Sequence, residues 1–349
     1  MSSPILGISI GDPNGIGPEV VLKTFSDSRM FDFCTPVVYA HPDFLDSENK
    51  HFGLKVPVQA LKDRPQRRVL NVVSCWDSHP QAAYGKETKT AGAFALQSLT
   101  AATQSLKEGV TQALVTAPIN KASIQSEAFS FPGHTDYLAH ELGGEALMFM
   151  VHDQLRVGLL TDHVAINEVS ALLTPERIVN KLKLMSQSLQ QDFGVRKPKI
   201  AVLGINPHAG DHGVIGSEDD KILSPTLATH NIENTLVFGP FSADAFFGSQ
   251  SYLDYDAVLA AYHDQGLVPF KTLSFGEGVN FTAGLSAVRT SPDHGTAFAI
   301  AGKGIANHQS FQQAVFAALD IVRKRKEYQQ ITVDHLPIQG DKNRRKRDS

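Results

Sequence analysis

Residues 5–19 read ILGISIGDPNGIGPE: a short apolar run, Ile5–Ile10, that breaks at Gly11 into a polar, glycine-rich turn carrying Asp12 and Asn14. A run of this length, rich in β-branched residues and stopped by a turn, is the pattern of a strand buried on both faces. The figure recurs at Val37–Ala40, Val69–Val73, Ala113–Thr116, Val157–Thr161, Lys199–Leu203, Leu236–Phe238 and Ala257–Ala261. Helical stretches alternate with these runs. Thr174 is an N-cap candidate followed by Pro175 and Glu176, and Ile178, Leu182, Met185 and Leu189 then draw one apolar stripe that Gly194 stops. Two more helices are expected, from about Thr90 to Lys107 and from about Gln309 to Lys326. Strands alternating with helices predict an α/β fold with a largely parallel sheet.

The bulk properties narrow the function. A chain of 349 residues exceeds one average domain, and 42% hydrophobic with 19% charged residues is the balance of a globular enzyme. A formal charge of -4 gives no reason to expect nucleic acid or an anionic membrane as a partner. No apolar run approaches the roughly 20 residues of a membrane span, and the N-terminus lacks the basic segment of a signal peptide. Cys34 and Cys75 are too few for a disulfide framework and lack metal-ligand spacing. A cytoplasmic protein is expected. Residues 339–349, with Lys342, Arg344, Arg345, Lys346 and Arg347, read as a disordered basic tail.

The chemistry follows the strands. GLLTDH ends on His163, AVLGINPHAGDHG carries His208 and His212, AVLAAYHDQG reaches His263 and Asp264, and ALVTAPINK ends on Asn120 and Lys121. Ligand crevices of open α/β sheets lie beyond the carboxyl ends of strands, so these clusters and the Asp12–Asn14 turn are expected to assemble one site. Three imidazoles with an open coordination position make a catalytic metal site, and His163, His208 and His263 are the candidates. Asp264 and Asp211 could orient these ligands or act as bases.

A second group of residues suits an anion. FPGHTDY supplies His134 and Thr135, and the glycine-rich stretch 271–289 supplies Lys271, Asn280 and Arg289. Arginine grips tetrahedral or planar anions through its fork, and lysine adds a point charge. The stretch DHGTAFAIAGKGIAN, residues 293–307, has glycines at 295, 302 and 304 that permit close backbone approach to a ligand. It is not the GxGxxG fingerprint, and by itself it is weak evidence for a nucleotide.

GDPNGIGPE and HGTAFAIAGKGIAN resemble the two signatures of the isocitrate and isopropylmalate dehydrogenase superfamily. The ordered set TAPINK, FPGHTDY, INPHAGDHGVIGSED, GPFSAD, AAYHDQGLVPFK and GVNFTAGLSAVRTSPDHGTA resembles one branch of it, the 4-hydroxythreonine-4-phosphate dehydrogenases, over residues 5 to about 325. The resemblance implies two α/β domains with a cleft between them: residues 1–130 with 275–338 on the cofactor side, and residues 131–274 on the metal and dimer side. It implies a homodimer with shared active sites, NAD or NADP as cofactor, and one divalent metal (zinc, cobalt, magnesium or manganese). The metal histidines fall on His163, His208 and His263; the substrate contacts fall on His134, Thr135, Lys271, Asn280 and Arg289. The cofactor segment falls on Asp293, His294, Gly295, Gly302, Gly304 and Asn307, and Asp244, Asp264 and Lys271 are the candidates for proton transfer. Two departures are visible: Asp136 stands where the family pattern has glutamate, and the basic tail lies outside the family core.

The implied reaction is oxidation of 4-phosphooxy-L-threonine at C3 and decarboxylation to 3-amino-2-oxopropyl phosphate, a step of pyridoxal 5'-phosphate biosynthesis. Alternatives stay open at this level. A sister activity on 4-phosphothreonate or 4-phosphoerythronate needs nearly the same motifs. A non-catalytic binder of phosphorylated metabolites, or a phosphate acyltransferase, has no use for three metal histidines.

Overall fold

A computed structural model describes residues 3–127, 129–131 and 133–333. The basic tail expected at 339–349 lies outside the described residues. Twelve strands form the framework: β1 (Ile5–Ser9), β2 (Thr35–Ala40), β3 (Val58–Ala60), β4 (Leu70–Ser74), β5 (Ala113–Thr116), β6 (Gly144–His152), β7 (Leu155–Leu159), β8 (Lys199–Leu203), β9 (Leu236–Phe241), β10 (Ala257–Ala260), β11 (Val279–Leu285) and β12 (Val288–Pro292). They make one sheet in the order β3-β4-β2-β1-β5-β12-β11-β6-β7-β10-β8-β9. The α/β class and the largely parallel sheet are as expected, and all eight expected strands are present.

Antiparallel pairing is confined to the middle, at β12–β11, β11–β6 and β6–β7. The flanking pairings are parallel. Three reversals in a row mean that β7, β8, β9 and β10 run opposite to β1, β2, β4 and β5. The carboxyl ends of the two blocks therefore do not share one rim, as a simple reading of the motifs supposes. Residues beyond β5 and beyond β7, Lys121 and His163, nevertheless line one cleft above the middle strands.

Local sequence accounts for the helices that frame this cleft. The Pro175–Gln191 helix starts where Thr174 accepts the Arg177 N–H at 3.3 Å, and it buries Ile178, Leu182, Met185 and Leu189 as its stripe requires. The Lys89–Lys107 helix is capped by Thr88, which accepts the Ala91 N–H. The last helix, Gln309–Val333, runs seven residues beyond the expected Lys326, and its apolar face of Phe311, Val315, Ala318 and Ile321 is buried in the main core. The His263–Ser274 helix lies unusually close to the sheet. A Cβ at Gly266 would stand 2.8 Å from Val157 and 2.9 Å from Ala260, so only glycine lets the helix sit on β7 and β10 at this distance.

Candidate active site

The cleft above the middle strands has a volume of about 250 Å³, and its floor is made by Met148 and Met150 of β6, Asn280 of β11, and Arg289 and Ser291 of β12. That volume lies below the roughly 300–1,000 Å³ of drug-sized pockets and suits a small metabolite. Its walls carry Lys121 beyond β5, His134 and Thr135 at the start of a helix, His163 beyond β7, and His263 and Lys271 of the His263–Ser274 helix. A much larger groove of about 1120 Å³ runs along the last helix, but it contains none of the residues expected to carry chemistry. Size alone would misplace the site; the convergence of titratable groups locates it.

Arg289 is the most telling member. The residue is 1% exposed, and the partners of its guanidinium are neutral: Nε and Nη2 donate to the Thr116 hydroxyl at 3.1 and 2.6 Å, and Nη1 donates to the Thr282 hydroxyl at 3.0 Å. Among the described residues no carboxylate pairs with it. Burial pushes its pKa down to about 9. A buried cation without a counter-ion is costly, and it is tolerated where an anion binds.

His134 makes the same point. Its Nε2 is buried with no partner among the described residues. Burial holds its pKa well below the ordinary value, and the positive charges of Arg289 and Lys121 press it further down. Asn280 Oδ1 is also buried and unpartnered. Lys271 donates to the Asp293 carbonyl at 2.7 Å and lies 3.4 Å from the Asp293 carboxylate, which fixes the ammonium at the cleft edge.

The opposite wall holds two imidazoles. The His163 and His263 rings lie with centroids 5.8 Å apart. His263 Nδ1 is bonded to the Asp264 carboxylate at 2.7 Å, which leaves Nε2 for a ligand. A carboxylate behind a ligating histidine is the usual support of a metal-bound imidazole. Burial lowers the pKa of His163, and Lys121 adds to the effect. The neutral, ligand-competent form is thus favoured.

The structure does not bring every expected residue here. His208 is exposed on a loop of positive-φ residues anchored by buried Asp219, which accepts the Ile205 and Asn206 N–H groups. Its neighbour is Asp244, whose carboxyl it helps to hold low, after hydrogen bonds from Ser242 and the Ala245 backbone. Neither His208 nor Asp244 lines the cleft of its own chain. Of the cofactor segment, Asp293, His294 and Gly295 line the cleft, and His294 Nε2 is buried without a partner among the described residues. Gly302 packs on Tyr84, the Gly304 carbonyl accepts from Lys23, and the Asn307 carboxamide accepts the Gln309 N–H at the start of the last helix. Lys121, expected here from its strand-end cluster, lines the cleft; Thr116 and Ser291, which no sequence reading singled out, are hidden inside strands.

A compact trio of two histidines and a carboxylate lies away from the cleft, at His41, Asp43 and His79. His41 Nδ1 already accepts the Asp43 N–H at 3.2 Å as a helix cap, and the positive end of a helix disfavours a cation.

Comparison with known proteins bears on this geometry. The family model described as "Pyridoxal phosphate biosynthetic protein PdxA" matches residues 32–318. This chain belongs to the PdxA family. Among its relatives, a 4-hydroxythreonine-4-phosphate dehydrogenase of Bacteroides thetaiotaomicron is 43% identical over 335 residues, 95% of this chain and 92% of that protein. A protein of Oceanobacillus iheyensis, provisionally named a D-threonate 4-phosphate dehydrogenase, is 36% identical over 91% of this chain and 98% of its own length. The crystal structure of 4-hydroxythreonine-4-phosphate dehydrogenase from Klebsiella pneumoniae is similar at a TM-score of 0.79 and 32% identity, covering 92% of this chain and 98% of that one. Those relatives are oxidoreductases by name. Among the described residues of this PdxA-family chain, no helix is long and apolar enough to cross a membrane.

Proposed function

We propose that this chain oxidises 4-phosphooxy-L-threonine at C3 with NAD or NADP and releases carbon dioxide, giving 3-amino-2-oxopropyl phosphate. The observation that carries the reading is Arg289, a buried cation with only neutral partners, facing a cleft whose other wall holds the imidazoles of His163 and His263. Arg289, His134 and Lys271 would take the anionic groups of the substrate, and Asn280 and Thr135 its polar edge. The C3 hydroxyl would then lie toward His163 and His263. Loss of hydride from C3 to the nicotinamide, with loss of the hydroxyl proton, leaves a β-keto acid. Its C1–C2 bond breaks readily, because the electron pair left on C2 as carbon dioxide departs delocalises into the C3 ketone, and a proton then adds at C2 to give the product. His163, His263 and a third imidazole would hold a divalent metal, which would supply Lewis acidity toward the substrate oxygen. Asp264 orients His263. Lys271 alone of the three proton-transfer candidates lines the cleft of its own chain, where Asp293 fixes it.

We further propose a homodimer in which His208 of each chain completes the partner's site. Ile166, Val214, Leu253 and Val268 support this reading: all belong to the block that carries the imidazoles, and they are 70, 79, 54 and 61% exposed in the single chain. Mixing inactive H208A and H263A chains, with subunit exchange, should restore roughly a quarter of wild-type turnover by random pairing in a two-fold dimer. No recovery from exchanged dimers would overturn the shared site.

A second reading is favoured by the Oceanobacillus relative: oxidation of a 4-phosphothreonate, with a hydroxyl in place of the C2 amine. One assay separates them. Metal-stripped protein resupplied with zinc, cobalt, magnesium or manganese receives each substrate with NAD+ or NADP+, and reduced nicotinamide is read by absorbance. Metal-dependent turnover with carbon dioxide release on the amino substrate supports the first reading. Turnover on the hydroxy acid alone moves the protein to the second, and silence on both overturns the dehydrogenase assignment.

A further inference from the structure

We propose that Lys121 is a third cation of the anion pocket and contacts the phosphate of the bound substrate directly. The inference rests on the proposed function for the identity of that substrate, but its core claim concerns phosphate alone.

Three observations carry it. First, Lys121 lines the cleft together with Arg289, Lys271 and His134. Its place is set by the chain: Asn120 caps the short helix Lys121–Ile124 by accepting the Ser123 N–H at 2.7 Å, and the Ser123 hydroxyl donates to the fully buried Asp12 carboxylate at 3.3 Å. The glycine-rich turn after β1 therefore braces the segment after β5 and aims its first residue. Second, the Lys121 side chain runs along the backbone at Gly133, where a Cβ would lie 3.8 Å from its Cε. This brings its charge beside His134, whose pKa it depresses. Third, Lys121 makes no hydrogen bond or ion pair with any described residue, whereas Lys271 is already tied to Asp293.

Charge matching then selects its role. A phosphate monoester dianion and a carboxylate bring about three negative charges at neutral pH. Arg289 is locked by two hydroxyls on the cleft floor, and Lys271 is partly neutralised by Asp293. Lys121 is the cation whose charge is neither fixed by hydroxyls nor shared with a carboxylate, and a flexible ammonium with three donors suits a tetrahedral oxyanion approaching from the cleft mouth.

The probe is inorganic phosphate, titrated into metal-free full-length protein and followed by calorimetry. Wild type should bind it, K121M should bind it about 10- to 100-fold more weakly, and K121R should recover most of the loss, the scale expected for a hydrogen bond to an ionic group. In the coupled assay, KM for the phosphorylated substrate should rise in K121M by a similar factor while kcat changes less. Undiminished phosphate affinity in K121M, with wild type binding normally, would overturn the inference and leave the proposed reaction standing. Lys121-dependent phosphate binding without turnover of either substrate would uphold the phosphate contact and overturn the proposed reaction instead. Failure of wild type to bind phosphate would overturn the inference outright.

Discussion

Arg289 and Thr116 are joined across 173 residues of chain by two hydrogen bonds, from Nε and Nη2 of the guanidinium to a single hydroxyl. The pairing lies between neighbouring strands, β12 and β5, which hydrogen-bond in parallel register through Arg289 opposite Leu114 and Thr290 opposite Val115. A neutral acceptor fixes the fork without discharging it. The geometry presents a whole positive charge to the cleft.

Replacing the fork should therefore cost binding even when the charge survives. We expect R289K to raise KM for the phosphorylated substrate about 10- to 100-fold, because an ammonium cannot hold Thr116 and Thr282 while also gripping an oxyanion. Steady-state kinetics at fixed saturating cofactor measures this. An unchanged KM would show that Arg289 serves packing alone.

The histidines give the empty protein a signed pH dependence. His134, His163, His294 and His308 all have folded-state pKa values below the ordinary value, each chiefly through burial. In the window between those depressed values and about 6.5, the unfolded chain binds more protons than the folded one. Stability is then fully present above about pH 6.5 and lost as the pH falls below it. Thermal melts of the metal-free protein between pH 7.5 and 5.5 should show a falling midpoint. Saturating phosphate should flatten the fall, because an anion beside His134 raises its pKa. A midpoint constant over this range would contradict the depressed imidazoles.

Metal binding should depend on the carboxylate behind the ligand as well as on the ligand. D264N removes the negative charge that supports His263 Nδ1–H, bonded at 2.7 Å. We expect zinc or cobalt affinity to fall about 10- to 100-fold, and H263A to abolish stoichiometric binding. Equilibrium dialysis with elemental analysis reads both variants. Equal metal content in D264N and wild type at limiting metal would show that Asp264 has no supporting role.

Away from the cleft, T174A removes the hydroxyl that accepts the Arg177 N–H. Chemical denaturation should register a loss of about 1 kcal/mol, with metal content and KM unchanged.

How far the sequence alone carried these conclusions can be seen at particular residues. Ile5–Ile10 and Ala257–Ala261 were legible as strands because runs of branched apolar residues end in turns. β6, GEALMFMVH, was not, since unbranched Leu, Met and Phe suit a buried helix equally well. β11 was hidden by its composition. Asn280, Thr282 and Gly284 drew attention as a polar, glycine-rich stretch, although Val279, Phe281, Ala283 and Leu285 alternate with them and are buried. Missing these strands concealed the reversal of direction between the two blocks, and with it the floor of the cleft. His163 and His263 were legible because each directly follows a strand. That His208 stands apart from them in one chain was not, because its loop is aimed by Asp219, a residue eleven positions further on. The burial of Arg289 and the openness of Lys121 depend on what packs across the sheet, which no local pattern records.

The uncompensated guanidinium on β12 has a consequence for the life of the protein in a cell. An empty cleft leaves the fold bearing an electrostatic penalty, and an arriving oxyanion relieves it. Ligand that binds only the folded chain stabilises it in proportion to the logarithm of its concentration over Kd. The steady-state fraction of unfolded chain, and hence exposure to proteases, should fall as phosphorylated metabolite accumulates. Enzyme abundance would then track substrate supply with no regulatory protein involved.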